Sequence, residues 1–571
     1  LNLSKDIFNK INTVAKALNI TPYMLMLSCY YILLYKYTSQ DDIVVGSPIV
    51  GRELPELSNV LGMFVNTLAL RNNVDHNLSF EEFSTNIKEN CLEYFKNQTY
   101  PFDMLVNDLK IKRDPSRNPL FDTVFVYQNE GYPPLNINGI SATYYTPKIT
   151  TSKFDLTLEI VPNNGEYSLR FEYCTKLFDE KYIKRLASHY INILNSILDD
   201  TKTQISNINM LSNDEREKIL YKFNDIEEPI NDDTFVTLFE NQVKKYPNNT
   251  ALICDNKTLT YSELNEKANS LAHFLIAHDV KQNDIIAIMT DRSLETIVSM
   301  LGILKAGAAF VNMDPTYPIE RTTYYLNDCK AKCVLKQKHL DLPVKDFENI
   351  YEIDLDNSNI YGKNTENPNL KINLDSLSYI IYTSGSTGVP KGVVLNQVGL
   401  ANMCKAMTRV LDYLKDGPNH AILSVTSTPF DIFVYEITVS LSHGMRVVLA
   451  NNAEHRNPKL VDMLIRKYNV DVMTVTPSLM KINYDNREPN SALANVKNMV
   501  FGGEPLSEKF VHDLKALSSD ITVYNIYGPS EITVLSNVQN LNGEDKISIG
   551  PPILNTKIYV LDNDMNPLPI G

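Results

Sequence analysis

Eleven residues, Tyr382-Thr-Ser-Gly-Ser-Thr-Gly-Val-Pro-Lys391-Gly392, constrain this chain more than any other stretch. They combine three glycines, four Ser/Thr hydroxyls and one lysine. Glycine reaches positive φ and lets backbone N–H groups approach a ligand, while hydroxyls and an ammonium add donors, so the parts are those of a phosphate cradle. The apolar run Leu377 to Thr383 before the loop and Gly392 to Asn396 after it predict two strands, so the loop joins strand to strand. A Walker A loop joins strand to helix, and its spacing is absent: Pro390 stands where that motif needs glycine, and Gly392 follows Lys391 where it needs Ser or Thr. An ordinary hairpin turn needs only about two to five residues.

A chain of 571 residues is too long for one core and predicts roughly three to five structural units. With 43% hydrophobic and 21% charged residues and a formal charge of -14, it reads as globular, and nucleic acid or an anionic membrane is excluded as partner. The longest mostly apolar run, Tyr23 to Tyr35, falls short of a bilayer span and predicts a buried helix. Seven scattered cysteines, of which only Cys329 and Cys333 lie close together, lack zinc-site spacing and predict free thiols in a reducing cytosol. Neither terminus carries a start or stop signal, so an internal piece of a longer, cytoplasmic protein is expected.

In residues 1–205, Ile7, Ile11, Val14 and Leu18 share a helical face behind a cap at Ser4, and Thr21-Pro22 opens a second helix. A helix near Ser79 to Lys96, strands at Asp122 to Tyr127 and Tyr167 to Tyr173, and a closing helix with Ile183, Leu186, Tyr190, Ile193 and Ile197 on one stripe complete a mixed α/β unit. His76 and His189 read as surface or packing residues. Three stretches, Leu61 to Arg71 with its Phe-Val-Asn-Thr core, Asn97 to Phe102 and Arg113 to Leu120, resemble successive motifs of the C-terminal half of nonribosomal peptide synthetase condensation domains. An epimerisation domain of the same superfamily fits Arg113 to Leu120 less well. That family's H-H-x-x-x-D-G motif belongs to the other half, so no residue here is assigned condensation chemistry.

Residues 206–232 turn polar and read as a structured linker, with Ser212 to Glu215 as a capping box and Ile219, Leu220 and Phe223 free to dock. From 233 to 571, strands and helices alternate, which predicts parallel sheets covered by helices and a ligand at the strand carboxyl ends. Here Leu259 to Leu264, Leu304 to Val311, Tyr379 to Gly392 and Asn525 to Glu531 resemble consecutive motifs of amino-acid adenylation domains. Two departures stand out: Asn312-Met313 occupies a place usually held by an apolar residue and proline, and Ser530 replaces threonine. The implied fold is α/β: half of a chloramphenicol-acetyltransferase-like condensation domain joined to the large N-terminal subdomain of an adenylate-forming enzyme.

The resemblance implies that ATP and Mg²⁺ serve to activate an amino acid, which a phosphopantetheine thiol on a carrier domain outside this chain then takes. It assigns Thr383, Ser384, Gly385, Ser386, Thr387, Gly388 and Lys391 to the β- and γ-phosphates, Ser530 to the α-phosphate, and Glu531 to the metal. Thr383, Ser384, Lys391 and Glu531 are the expected catalytic residues. Tyr527 would stack on adenine, Asn525 would bond its exocyclic amine, Gly502, Gly503, Glu504 and Pro505 would form a close backbone wall, and Gly528 is implied among the nucleotide-binding residues. Asp431 would pair with the substrate ammonium, because a carboxylate among Phe430, Ile432 and Phe433 is costly to bury without a cation. The remaining pocket positions, Ile432, Tyr435, Thr474, Val500, Gly502, Ile526, Val534 and Leu535, are almost all apolar and imply a medium-sized hydrophobic amino acid. A ribose-binding aspartate and a lysine-bearing mobile subdomain are expected beyond residue 571, so this chain alone is expected to adenylate poorly. Competing readings are a stand-alone acyl- or aryl-CoA ligase, against which Asp431 argues, and an inactive scaffold, against which the intact loop argues.

Overall fold

The computed structural model describes residues 1–570 except 53, 58–59, 113, 129–135, 138–139, 142–150, 164, 232, 341–349, 385–387, 486–491 and 544–545; residues 136–137, 140–141 and 483–485 are described by backbone alone. Two compact units result: Leu1–Asp225 with Tyr559–Gly571, and Ile226–Ile558.

The first unit is a six-stranded sheet, in the order Asn2–Leu3, Glu166–Tyr173, Leu156–Asn163, Thr123–Tyr127, Asp42–Ile49, Asn66–Asn73. The helices start where the caps predict: Ser4 accepts from Ile7 N–H and Thr21 from Met24 N–H, and Ser79 with Glu82 closes a reciprocal capping box. Pro22–Thr38 carries Met24 through Leu33 into the core, so its apolarity serves packing. Among the described residues no single helix is long and apolar enough to cross a membrane.

Two stretches pack across the expected division at 205 and 232. Ile208, Met210, Leu211 and Ile219 of the expected linker enter the first core, while Phe223 stays half exposed. Ser212 caps its helix by accepting from Glu215 N–H, but the Glu215 carboxylate does not return the bond. It accepts instead from His189 Nε2 at 2.6 Å and from Ile570 N–H at 3.3 Å. Residues 559–571 are likewise drawn to this unit, with the Asn566 amide donating to the Ser206 carbonyl at 2.9 Å.

The second unit contains two large sheets. In one, Thr250–Cys254, Arg446–Leu449, Ala421–Ser424, Val472–Val475, Asn498–Phe501 and Thr522–Tyr527 run parallel, flanked by the antiparallel edge strands Lys257–Thr260 and Asn537–Asn540. In the other, Tyr351–Asp354, Cys333–Lys336, Ile285–Met289, Ala309–Asn312 and Leu377–Thr383 run parallel, and Lys391–Asn396 closes the edge antiparallel. One core takes side chains from both sheets and from helices Tyr261–Ala277, Leu294–Lys305, Gln397–Val410 and Asp431–Ser442. That is the covered parallel sheet the strand-helix alternation predicts.

Inside that core lies a polar network that no motif announced. Glu436 is fully buried and accepts from the Ser424 hydroxyl at 2.5 Å and the Thr426 hydroxyl at 2.7 Å. Buried Arg292 donates to the carbonyls of Ser424 at 2.8 Å and Ala450 at 2.7 Å, and also to that of Thr426. Burial pushes the Glu436 carboxyl up to about 7, the hydroxyl donors and the Arg292 charge offsetting only part of it. The folded state therefore holds a proton that the unfolded chain, with an ordinary value of 4.5, releases earlier. This contribution to stability is complete below the ordinary value and is lost as pH rises to the folded one, a span of about 3 kcal/mol. We expect the thermal unfolding midpoint of this unit to fall between pH 5 and pH 8, and Glu436→Gln to flatten that slope; an unchanged slope in the variant would place the titration elsewhere.

Candidate functional site

The Gly-rich loop sits where its flanking strands predict. Leu377–Thr383 pairs antiparallel with Lys391–Asn396, Thr383 opposite Lys391, so both ends of the loop are pinned at one edge of the sheet. Ser384 and Lys391 are exposed, Thr383 is half-buried, and Gly388 adopts φ +81°, a conformation glycine takes without strain. Gly385, Ser386 and Thr387 lie outside the described residues.

The strand Lys391–Asn396 packs beside the one-turn 3-10 segment Ser530–Ile532, which presents Ser530 and Glu531. This turn is held in an unusual backbone. Thr533 and Val534, both β-branched, have φ +66° and +72°, and a Cβ on Gly528 would lie 2.4 Å from Leu535 Cα. Left-handed β-branched residues cost about 1–2 kcal/mol each. The distortion aims Glu531 outward while Val534 and Leu535 turn inward, both buried.

Asp431 is the first residue of helix Asp431–Ser442, where an acid is favoured by the unsatisfied N–H groups of the first turn. Its carboxylate does not face bulk solvent: the Ser530 hydroxyl donates to Oδ2 at 2.5 Å. Burial raises its proton affinity above the usual carboxylate range, and the nearby Glu531 charge adds to this; the Ser530 hydroxyl and backbone N–H groups oppose it. The buried Tyr379 phenol, in the strand that leads to the loop, is raised by burial and further by the charge on Asp431. Asp431, Ser530 and Glu531 thus form one neighbourhood, beside the strands that carry Thr383 and Lys391. The hydroxyl at 530, expected at a phosphate, here serves Asp431.

Strand register explains the pocket. Thr474 is opposite Val500, Val500 opposite Tyr524, and Ile526 opposite Val538, which puts Thr474, Val500 and Ile526 on one face of the sheet. Helix Asp431–Ser442 lies against that face; its Tyr435 joins the core there, and its buried Ile432 faces Gly503. Every wall predicted from the sequence is buried: Ile432, Tyr435, Thr474, Val500, Gly502, Ile526, Val534 and Leu535. Nearby, Gly503, Glu504 and Pro505 are exposed, the Glu504 carboxylate accepting from Ser478 N–H at 2.9 Å. The Tyr527 ring is exposed at its strand end and offers a stacking face. Asn525 is buried and its amide donates to the Ser548 carbonyl at 2.7 Å, which leaves its own carbonyl oxygen as the acceptor for an amine.

The sequence marked Asn312 only as a departure from the family pattern and gave it no role. Its side-chain amide donates to the Thr428 carbonyl at 3.1 Å, three residues ahead of Asp431, and its own oxygen is buried without a partner among the described residues. The departure from the family pattern is a tether on the segment that delivers Asp431. Asn312→Leu removes one bond worth about 1 kcal/mol, so we expect several-fold weaker binding of an aminoacyl-adenylate analogue and unchanged binding of ATP alone, both read by calorimetry. Equal loss for both ligands would contradict a role specific to Asp431.

Comparison with known proteins points the same way. Residues 239–571 match the family model described as AMP-binding enzyme, and residues 1–220 match the condensation domain model. The chain is 37% identical to bacitracin synthase 3 of Bacillus licheniformis, over 99% of its own length and 9% of that protein's. It is 39% identical to a gramicidin S synthase 2 of Brevibacillus brevis, over 99% of its own length and 13% of that protein's. It thus spans about a tenth of these relatives. A crystal structure of a four-domain nonribosomal peptide synthetase superposes with TM-score 0.87 at 25% identity, covering 100% of this chain and 43% of that one.

Proposed function

Because the chain belongs to the AMP-binding enzyme family, with a condensation domain ahead of that family's domain, we propose that it is a segment of a nonribosomal peptide synthetase module that activates an amino acid as its adenylate. In this reading a substrate carboxylate oxygen attacks the α-phosphorus of ATP, the bond to the bridging oxygen breaks, and pyrophosphate leaves. The hydroxyls of Thr383 and Ser384 and the Lys391 ammonium would neutralise charge on the departing phosphates. Glu531, a single exposed carboxylate next to that loop, suits a hard cation that completes its shell with phosphate oxygens. Mg²⁺ there would supply further charge neutralisation. Tyr527 and Asn525 would hold the adenine.

The observation that carries the reading is Asp431: a carboxylate largely withdrawn from water, with one oxygen bonded to Ser530 and, among the described residues, no side-chain cation as a hydrogen-bond partner. A substrate α-ammonium supplies that cation, and the apolar walls beyond favour a hydrophobic side chain. The aminoacyl group would pass to a phosphopantetheine thiol on a carrier domain, and the condensation domain would join it to the upstream chain, in the cytoplasm. A stand-alone acyl- or aryl-CoA ligase would have no ammonium to place at Asp431. Calorimetry of the chain with ATP, Mg²⁺ and aminoacyl-sulfamoyl adenosines tests the proposal: Mg²⁺-dependent ATP binding and competitive binding of the analogue are expected. Binding of neither would overturn it.

A further inference from the structure

The Gly-rich loop is held at both shoulders by one helix, Ile319–Asp328, which carries none of the candidate site residues. At the first shoulder the Tyr382 ring lies flat on the Tyr325 ring, with centroids 3.8 Å apart and planes 8° from parallel, and the Tyr382 hydroxyl donates to Asp328 Oδ2 at 2.7 Å. Tyr325 is fixed in turn, because Arg321 Nε donates to its hydroxyl at 2.8 Å. At the second shoulder the Tyr324 hydroxyl donates to the Pro390 carbonyl at 2.9 Å. That carbonyl belongs to the peptide unit leading into Lys391. Proline has no N–H, so the strand ladder cannot secure this residue through a donor, and Tyr324 secures it through the acceptor instead.

We infer that Tyr324 is a positioning residue for Lys391: by fixing the peptide between Pro390 and Lys391, it aims the Lys391 ammonium at the outer phosphates of ATP. This rests on the adenylation reading above, which gives Lys391 its phosphate partners, and adds what orients that lysine. The Lys391 side chain is an exposed, flexible stem, so the volume its ammonium samples is limited mainly by how firmly its own backbone is held. The Tyr325–Tyr382 stack steadies the opposite strand, whose Thr383 pairs with Lys391. Both holds come from the same helix, so the two ends of the loop keep one spacing.

The test is calorimetry of the full chain with MgATP and with AMP. Tyr324→Phe keeps the ring and removes only the hydroxyl; it is expected to weaken MgATP by about fivefold and to leave AMP, which lacks the outer phosphates, unchanged. A role confined to packing would move both ligands together or neither. In a Lys391→Ala background, adding Tyr324→Phe is expected to weaken MgATP no further, because the hydroxyl acts through the lysine. Asp328→Ala, an exposed position on the same helix, frees the Tyr382 hydroxyl; it is expected to shift MgATP in the same direction and serves if the phenylalanine variant fails to fold. Tyr324→Phe binding MgATP as wild type does, losing MgATP and AMP equally, or costing as much without Lys391 as with it would overturn the positioning role. Provided Lys391→Ala by itself still weakens MgATP and spares AMP, the adenylation reading would stand. If Lys391→Ala binds MgATP as wild type does, both fall.

Discussion

Asp431→Asn is expected to weaken binding of an aminoacyl-sulfamoyl adenosine by about a thousandfold, near 4 kcal/mol, while ATP binding changes little. The substitution keeps shape and the neighbouring Ser530 hydroxyl, and removes only the charge. A buried ammonium left without its carboxylate bears the full desolvation cost, which is why the effect exceeds that of a surface ion pair. The pH profile carries a second signature. Burial raises the Asp431 carboxyl above the usual range, so its ionised form, which the ammonium needs, is lost earlier on acidification than for an exposed aspartate. Affinity for the analogue should fall as pH drops through that raised value in wild type and stay flat in Asp431→Asn. A variant that binds as wild type does would remove the ammonium from this site.

Glu531→Gln is expected to abolish the Mg²⁺ dependence of ATP binding and to weaken MgATP by about a hundredfold, near 3 kcal/mol. Glu531 lies on the strained turn beside the strand that starts at Lys391, and among the described residues no group of three or more His, Cys, Asp or Glu forms an alternative metal site. Glutamine preserves the turn, so circular dichroism and the melting point should not move. Titrating Mg²⁺ against ATP affinity in both proteins reads the difference; equal dependence would detach the metal from Glu531.

The hairpin loop and Asp431 were legible because each is locally improbable without a ligand: glycines and hydroxyls between apolar strands, and a carboxylate among aromatic and aliphatic neighbours. Local chemistry also predicted the helix starts at Ser4, Thr21 and Ser79. What stayed hidden depends on partners far away in the chain. Asn312 finds the Thr428 carbonyl 116 residues on, and Arg292 finds Ser424 132 residues on. Glu215 shows the same effect in reverse: its local capping partner lost to His189, because a buried imidazole offers a stronger bond than an exposed backbone N–H. The left-handed Thr533 and Val534 defy their own preference and are held by the Gly528–Leu535 approach, which no pattern of residues announces.

The central claim is that a buried acid selects substrates by their amine. It is tested most directly by comparing two ligands on the unmodified chain: alanyl-sulfamoyl adenosine and its propionyl counterpart, identical except for the α-ammonium. The account predicts at least a hundredfold tighter binding of the alanyl compound at neutral pH, with the gap closing in Asp431→Asn. Equal affinities in the wild-type chain would contradict it.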